Sequence, residues 1–182
     1  AVIHTGDLFD KRTPGLPDLN TSIKILRKLD DAGIPFYGIV GNHERKMDEQ
    51  WLDLLNQAGV ANRLDRTPTV VNDEVALYGI DAVPKPAWES TSFDLETDGL
   101  DGKYRLLCMH QLLHPPTPDV MAEYETEEVL DRLNASVDAL ALGDYHDPSS
   151  KTVNGVDVWY PGSTERKSRK ESEKRRVSLL TV

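Results

Sequence analysis

Short apolar runs alternate with segments of helical period along most of the chain. Residues 1–4 (AVIH) and 35–40 (PFYGIV) are too short and too continuously apolar for helices, and their composition favours buried strands. Between them Leu19, Ile23, Leu26 and Leu29 recur near helical spacing, which predicts a helix over 18–32 with Gly33 as its stop. A second helix is expected over 48–58, where Trp51, Leu55 and Ala58 share a face ahead of Gly59. Strand-like stretches follow at 69–71, 75–80, 105–109 (RLLCM), 138–142 (DALAL), 156–160 and 177–182, with a turn at 99–102 and a helix over 125–133. This order predicts an α/β class, a layered sheet core flanked by helices. No repeat, low-complexity tract or linker interrupts it, so 1–182 is read as one domain.

Four strand-like runs lead straight into polar residues: Gly6-Asp7, Gly41-Asn42-His43-Glu44, His110-Gln111 and Gly143-Asp144-Tyr145-His146. In open α/β sheets, ligands gather beyond the carboxyl ends of strands. Neighbouring strands would therefore bring Asp7, Asn42, His43, His110, Asp144 and His146 to one rim, with glycine letting the backbone approach closely. Carboxylate, carboxamide and imidazole without thiolate suit Mn²⁺, Fe²⁺ or Zn²⁺ in a catalytic setting better than a structural zinc. A pair of such ions needs a bridging carboxylate, for which Asp7 is the natural choice, and its chemistry is phosphoester hydrolysis. A histidine beside an Asn ligand can protonate the leaving alkoxide or hold a phosphate oxygen. Taken singly, each of these residues has a duller explanation. Only their recurrence at consecutive strand ends makes a site.

Composition narrows the picture. The chain has 182 residues, 21 basic and 31 acidic, for a net charge of −10. Such acidity argues against a surface that grips nucleic acid everywhere, but not against a local basic patch or metal-mediated contact. Six carboxylates and no Lys or Arg lie between Asp119 and Asp131, whereas RKSRKESEKRR over 166–176 reverses the sign; both runs read as solvated faces. A single Cys108 forms no internal disulfide, and no stretch of about 18 apolar residues offers a membrane span, so the expectation is a cytoplasmic protein without membrane contact. His4, inside the first strand, reads as a core histidine or one supporting a ligand. His114 reads as a surface or substrate-facing loop residue. Asp10 either caps a turn or faces substrate. Asp94, Asp98 and Asp101 read as turn acids, Trp51 as helix core and Trp159 as sheet core.

At GDLFD, GNHE, MHQ and GDYH the sequence resembles a calcineurin-type metallophosphoesterase, and GNHE is the specific piece. YPGSTER (160–166) and WLDLLNQAGV (51–60) are similar to the Mre-eleven/SbcD-type double-strand-break repair nucleases, and the acidity resembles that of haloarchaeal members. The resemblance implies an α-β-β-α metallophosphoesterase sandwich and a Mn²⁺-dependent DNA nuclease, with double-strand 3′–5′ exonuclease and single-strand endonuclease activity. It implies two Mn²⁺ ions (Fe²⁺, Zn²⁺ or Mg²⁺ as alternatives), bridged by Asp7, with Asn42, His110 and Asp144 at the second ion and His146 at the first. His43 would be the non-ligand that orients phosphate and assists the leaving group. The partners implied are DNA, an SMC-type repair ATPase and a second copy in a homodimer. The family usually has His where this chain has Asp144 and Asp10, the latter at a position facing DNA. Its opening Asp-x-His motif has no counterpart here, so the chain is read as lacking the first strand and helix, and as weakly active or inactive alone. In YPGSTER, Ser163 and Arg166 are the candidate substrate contacts, through hydroxyl or backbone donors and charge; a plain turn closed by Glu165 is the alternative. A phosphoesterase of small phosphodiesters or nucleotides, and a catalytically weak DNA-end scaffold, are the competing functions.

Overall fold

The computed structural model describes residues 1–166 and 175–181. Strands β1 (Val2–His4), β2 (Phe36–Gly38) and β3 (Asn62–Arg63) make a small, wholly parallel sheet in that order. A larger sheet contains β4 (Thr69–Val70), β5 (Val75–Ile80), β6 (Tyr104–His110), β9 (Ala139–Gly143), β10 (Ser149–Val153) and β11 (Val156–Tyr160), ordered β10-β11-β9-β6-β5-β4. Its inner pairs are parallel and each edge pair is antiparallel. Between β6 and β9, the short β7 (Leu113–His114) and β8 (Tyr124–Glu125) pair in parallel. The helices are α1 (Leu16–Asp31), α2 (Trp51–Gln57) and α3 (Thr126–Arg132).

The two-residue period of the strands sorts the core into layers. Leu77, Leu106, Cys108, Ala139 and Ala141 point from the large sheet toward Tyr37, Ile39 and Leu64, and so fill the space between the sheets. Their neighbours Tyr78, Leu107, Met109, Leu140 and Leu142 point the other way, onto Trp88, Phe93 and Val129. On the far side of the small sheet, Leu26 of α1 and Leu52 and Leu55 of α2 pack on Phe36 and Val40. The order of layers is helices, small sheet, large sheet, then α3 with the segments around it, which is the expected α-β-β-α sandwich. Burial between the sheets pushes the Cys108 thiol up to about 12, so it supplies no thiolate.

Local chemistry sets the ends of the helices. α1 begins at Leu16, ahead of the expected Asp18, because Pro17 suits the first turn and the Gly15 N–H donates to Asp18 Oδ2 at 3.2 Å. It ends before Gly33, whose φ of 68° is the left-handed conformation that closes a helix. α2 begins at Trp51, after the expected Asp48. The Gln50 side chain bonds the backbone of Lys46 and Asp48, and the Gln50 N–H donates to Asp53 Oδ2 at 2.9 Å, so the preceding residues form a turn.

Two expectations about strands need correction. The polar segment Ser149–Val153 is an edge strand that no apolar run announced. In contrast, residues 177–181 form no strand: Val177 is 80% and Leu179 93% exposed, so their apolar pattern meets no sheet face. Of the basic run, 167–174 lie outside the described residues, as does Val182. Leu106→Ala, between the sheets, is expected to cost about 2–5 kcal/mol of unfolding free energy in urea titrations. Leu179→Ala is expected to change it by no more than about 0.5 kcal/mol. Equal losses would place the C-terminal segment in the core.

Candidate metal centre

β1 and β2 are neighbours in the small sheet, and β6 and β9 are neighbours in the large one. The strand-end residues therefore converge in two pairs that face each other across the sandwich, not along one sheet. A hydrogen bond from His110 Nδ1 to the Thr5 carbonyl, 2.7 Å, joins the two rims, and Thr5 Oγ1 donates to the Leu142 carbonyl at 3.3 Å. The approach is so close that a Cβ on Gly143 would run into the Thr5 carbonyl, and one on Gly6 into the His110 ring.

Asp7 and Asp144 both occupy the left-handed region, with φ of 59° and 84°. Backbone strain in a non-glycine residue persists where surrounding bonds enforce it, and such residues gather at functional sites. The enforcing group at Asp7 is Glu44. Its buried carboxylate accepts the N–H groups of Leu8 (3.1 Å), Phe9 (3.1 Å) and Gly41 (3.3 Å), which binds the loops after β1 and β2 together. Burial raises the Glu44 carboxyl above its ordinary pKa, and the three donors offset this only in part.

His110 is the centre of the constellation. With Nδ1 directed at Thr5, its Nε2 stands 3.5 Å from Asp7 Oδ2 and 3.9 Å from Asp144 Oδ1. Those are ion-pair distances, and Nε2 is buried without a hydrogen-bond partner. Burial lowers the His110 pKa, but Asp7, the Thr5 carbonyl and Asp144 outweigh it and raise the pKa overall. Burial likewise raises Asp7, yet His110 and the His43 N–H hold it below the usual carboxylate range. Asp144 is raised, first by burial and then by Asp7 and Glu123, with His110 and His146 opposing. The two carboxylates thus stabilise positive charge at Nε2, whether a proton or a cation. A carbonyl that orients an imidazole, and carboxylates facing its other nitrogen, are donor types that divalent metal sites use. Among the described residues no three His, Cys, Asp or Glu side chains close into a shell by themselves. Asn42 lines the same cleft as His110 and Asp144.

His43 sits at the open edge. Its backbone N–H donates to Asp7 Oδ1 at 3.0 Å, and its Nε2 is 3.9 Å from Asp7 Oδ2. Its Nδ1 faces both the Asp10 carbonyl, 3.2 Å, and Asp10 Oδ1, 3.3 Å. Asp10 therefore addresses the His43 ring. His146 lies on the Asp144 loop, near enough for its charge to act on Asp144. Its carbonyl accepts the Ser163 N–H at 3.0 Å and Arg175 Nη1 at 2.8 Å. The Ser163 hydroxyl donates to the Glu165 carbonyl at 2.7 Å and accepts from Arg175 at 2.8 Å. In this turn Ser163 is thus committed to holding the His146 loop, while Arg166 is exposed at its end. His4 accepts the Gly6 N–H at Nδ1, 3.2 Å, and His114 faces the Thr117 carbonyl, 2.8 Å.

The sequence profile of calcineurin-like phosphoesterases matches residues 1–148. The chain belongs to that family. Three archaeal proteins named DNA double-strand break repair protein Mre11 are similar over essentially all of it: 45% identical in Methanosarcina mazei, 46% in Haloferax volcanii and 40% in Halobacterium salinarum. The match covers 100%, 99% and 100% of the chain, and 29%, 40% and 45% of those proteins, so the chain spans less than half of each. The crystal structure of TT1561 of Thermus thermophilus superposes with a TM-score of 0.55 at 14% identity, covering 88% of this chain and 74% of that one, a likeness of fold.

Some supports of this phosphoesterase site have little signature in sequence. Glu44 was visible only as the last letter of GNHE. Asp81, just after β5, accepts the Val40 N–H at 2.8 Å, and its Ala82 neighbour donates to the Val40 carbonyl at 2.9 Å, gripping the chain two residues before Asn42. Tyr160 Oη donates to the Gln111 carbonyl (2.7 Å) and accepts the Leu113 N–H (2.8 Å), anchoring the loop after His110. Glu44→Ala orphans three N–H groups and is expected to destabilise by about 2–3 kcal/mol in urea titrations, with Glu44→Gln milder. A loss below about 0.5 kcal/mol would show that other bonds hold the loops. Burial, and then the His110 charge, lower the His4 pKa to about 4 from 6.5. A depressed folded-state pKa makes the unfolded chain bind more protons, so this part of the stability is complete above pH 6.5 and is lost as pH falls toward 4. His4→Gln should flatten the urea midpoint over that interval, and an unchanged slope would assign the titration elsewhere.

Proposed function

We propose that this chain carries the metal-dependent nuclease site of a DNA double-strand-break repair protein. The observation that supports it most is the orphaned His110 Nε2 aimed between Asp7 and Asp144 at the junction of two sheets. The similarity to the archaeal Mre11 proteins over the chain's whole length supports DNA as substrate. Local charge agrees. Although the net charge is −10, Arg45 lines the cleft with His110 and Asp144, and Lys11, Arg12 and Lys46 lie in the same loops as Asp7 and His43. The Trp51 indole donates to the Arg12 carbonyl at 2.8 Å and stacks under Lys46 at 4.8 Å, which links those loops.

Asp7 would bridge two divalent ions, taken to be Mn²⁺, with Asn42, His110 and Asp144 at one and His146 at the other. When bound, such ions activate water and neutralise charge developing on phosphorus. His43 stands outside this set. Asp10 faces its Nδ1, and its Nε2, 3.9 Å from Asp7 Oδ2, would when protonated hold a phosphate oxygen or deliver a proton to the departing alkoxide. Asp10 acts here as the positioning partner of His43. Ser163 holds the His146 loop, and Arg166 meets the DNA backbone. Double-strand 3′–5′ exonuclease and single-strand endonuclease activities, an SMC-type ATPase partner, a homodimer and a cytoplasmic location complete the reading. Among the described residues no helix is long and apolar enough to cross a membrane.

The decisive assay is Mn²⁺-dependent cleavage of linear duplex and single-stranded DNA by the full-length protein, beside bis-p-nitrophenyl phosphate. EDTA should abolish cleavage and Mn²⁺ restore it. His43→Ala should lower kcat by roughly 10²–10⁴-fold while Mn²⁺ still binds by calorimetry, whereas Asp7→Asn should lose metal affinity. Asp10→Asn should lie between wild type and His43→Ala. Turnover of the small ester alone would make the protein a general phosphodiesterase, and metal binding without either activity would make it a scaffold.

A further inference from the structure

The loop that leaves β9 carries both Asp144 and His146, and its backbone is fastened at the His146 carbonyl. That oxygen accepts two donors from later in the chain, the Ser163 N–H at 3.0 Å and Arg175 Nη1 at 2.8 Å. The same Arg175 nitrogen donates to the Ser163 hydroxyl at 2.8 Å, and the hydroxyl donates in turn to the Glu165 carbonyl at 2.7 Å. The turn after β11 lies so close to the loop that a Cβ on Gly162 would stand 2.8 Å from the His146 oxygen.

Arg175 reaches this loop from 29 residues further along the chain. Of residues 175–181 it alone is partly buried, and the others are exposed. With Val177 at 80% and Leu179 at 93% exposure, apolar packing does not account for where the segment lies. The guanidinium does. A charged donor makes a stronger hydrogen bond than a neutral N–H, and a carbonyl that accepts two donors is fixed in direction as well as in place. Asp144, two residues before His146, has a φ of 84°, a backbone conformation that persists only under support from surrounding bonds. The His146 imidazole stands on the Cα beside the fastened carbonyl, so the course of the loop decides where the ring points.

We infer that Arg175 is a positioning residue for the metal ion that His146 would hold: its bonds to the His146 carbonyl and the Ser163 hydroxyl set the course of residues 144–148 and so aim the imidazole. The inference rests on the reading of His146 as a metal ligand. It adds that the affinity for that ion depends on a side chain that is itself a cation and donates only, so it cannot be a ligand. Groups that orient a ligand commonly change metal affinity by roughly 10–100-fold when they are removed. Charge alone gives the opposite sign. A guanidinium near a cation repels it, so if repulsion were its whole effect, removing Arg175 would tighten metal binding.

The test titrates full-length protein with Mn²⁺ by calorimetry, without DNA, beside Arg175→Met, Arg175→Lys and His146→Ala. Arg175→Met keeps the aliphatic stem and loses the donors. It is expected to weaken one Mn²⁺ ion by roughly tenfold and to leave the other within about twofold. Arg175→Lys keeps a charged donor and should recover most of that loss. Amide hydrogen exchange in the metal-free protein gives a second readout: protection of the Ser163 N–H should fall in Arg175→Met and return in Arg175→Lys. A merely structural role would lower the melting temperature and weaken both ions together, and that result overturns the inference. So does an unchanged or tightened affinity in Arg175→Met when His146→Ala has lost one ion, which leaves the ligand reading intact. His146→Ala that still binds both ions with wild-type affinity overturns the ligand reading and the inference with it.

Discussion

The candidate site depends on one hydrogen bond that crosses the sandwich, from His110 Nδ1 to the Thr5 carbonyl, 105 residues away in sequence. It fixes the ring of a buried histidine and leaves Nε2 facing two carboxylates. It also spans the two sheet rims, whose spacing tolerates no side chain at Gly6 or Gly143. Leu77, Leu106, Cys108, Ile39 and Leu64 fill the space between the sheets behind it, so packing sets the approach and the hydrogen bond sets the orientation. The binding chemistry at the rim is therefore a consequence of the core.

Charge is distributed on the same logic. Where a carboxylate has a backbone or guanidinium partner, as Glu44 and Asp81 do, it holds loops in place. Where two carboxylates face a histidine nitrogen that lacks a hydrogen-bond partner, as Asp7 and Asp144 do, the arrangement favours a cation. Arg63 and Arg45 show the same division among cations. The first is consumed by Asp53 and Asp81, and the second is left at the mouth of the cleft.

The sequence reveals the site better than the framework around it. A strand that ends in Gly-Asp or Gly-Asn-His shows in the order of residues, because an apolar run and an abrupt polar turn are local signals. Which strands pair is not local. Nothing in AVIH or RLLCM says that they belong to different sheets, and only the packing of Ile39 and Leu64 on Leu106 decides it. The segment 177–181 failed for the opposite reason: Leu179 and Val177 have the pattern of a strand but meet no sheet face. Ser163 looked like a phosphate donor because a Gly-Ser-Thr turn offers hydroxyls. Its N–H and hydroxyl instead meet the His146 and Glu165 carbonyls, contacts invisible until the fold brings β11 beside the Asp144 loop.

Asp10 and Asp144, where the resembled nucleases usually have histidine, acquire a common sense in this geometry. On the proposed reading, a carboxylate at 144 adds negative charge and a hard oxygen donor beside Asp7, which favours Mn²⁺ or Mg²⁺ over softer, nitrogen-preferring ions. That extra charge would also repel an approaching phosphate. Asp10 is not aimed at an approaching phosphate, because its carboxylate is turned to His43 Nδ1 at 3.3 Å. On the same reading, Arg45 and Lys85, which line the cleft, would provide attraction to offset the repulsion. On the proposed reading the two aspartates would act as a matched pair, one at the cation and the other orienting the His43 ring.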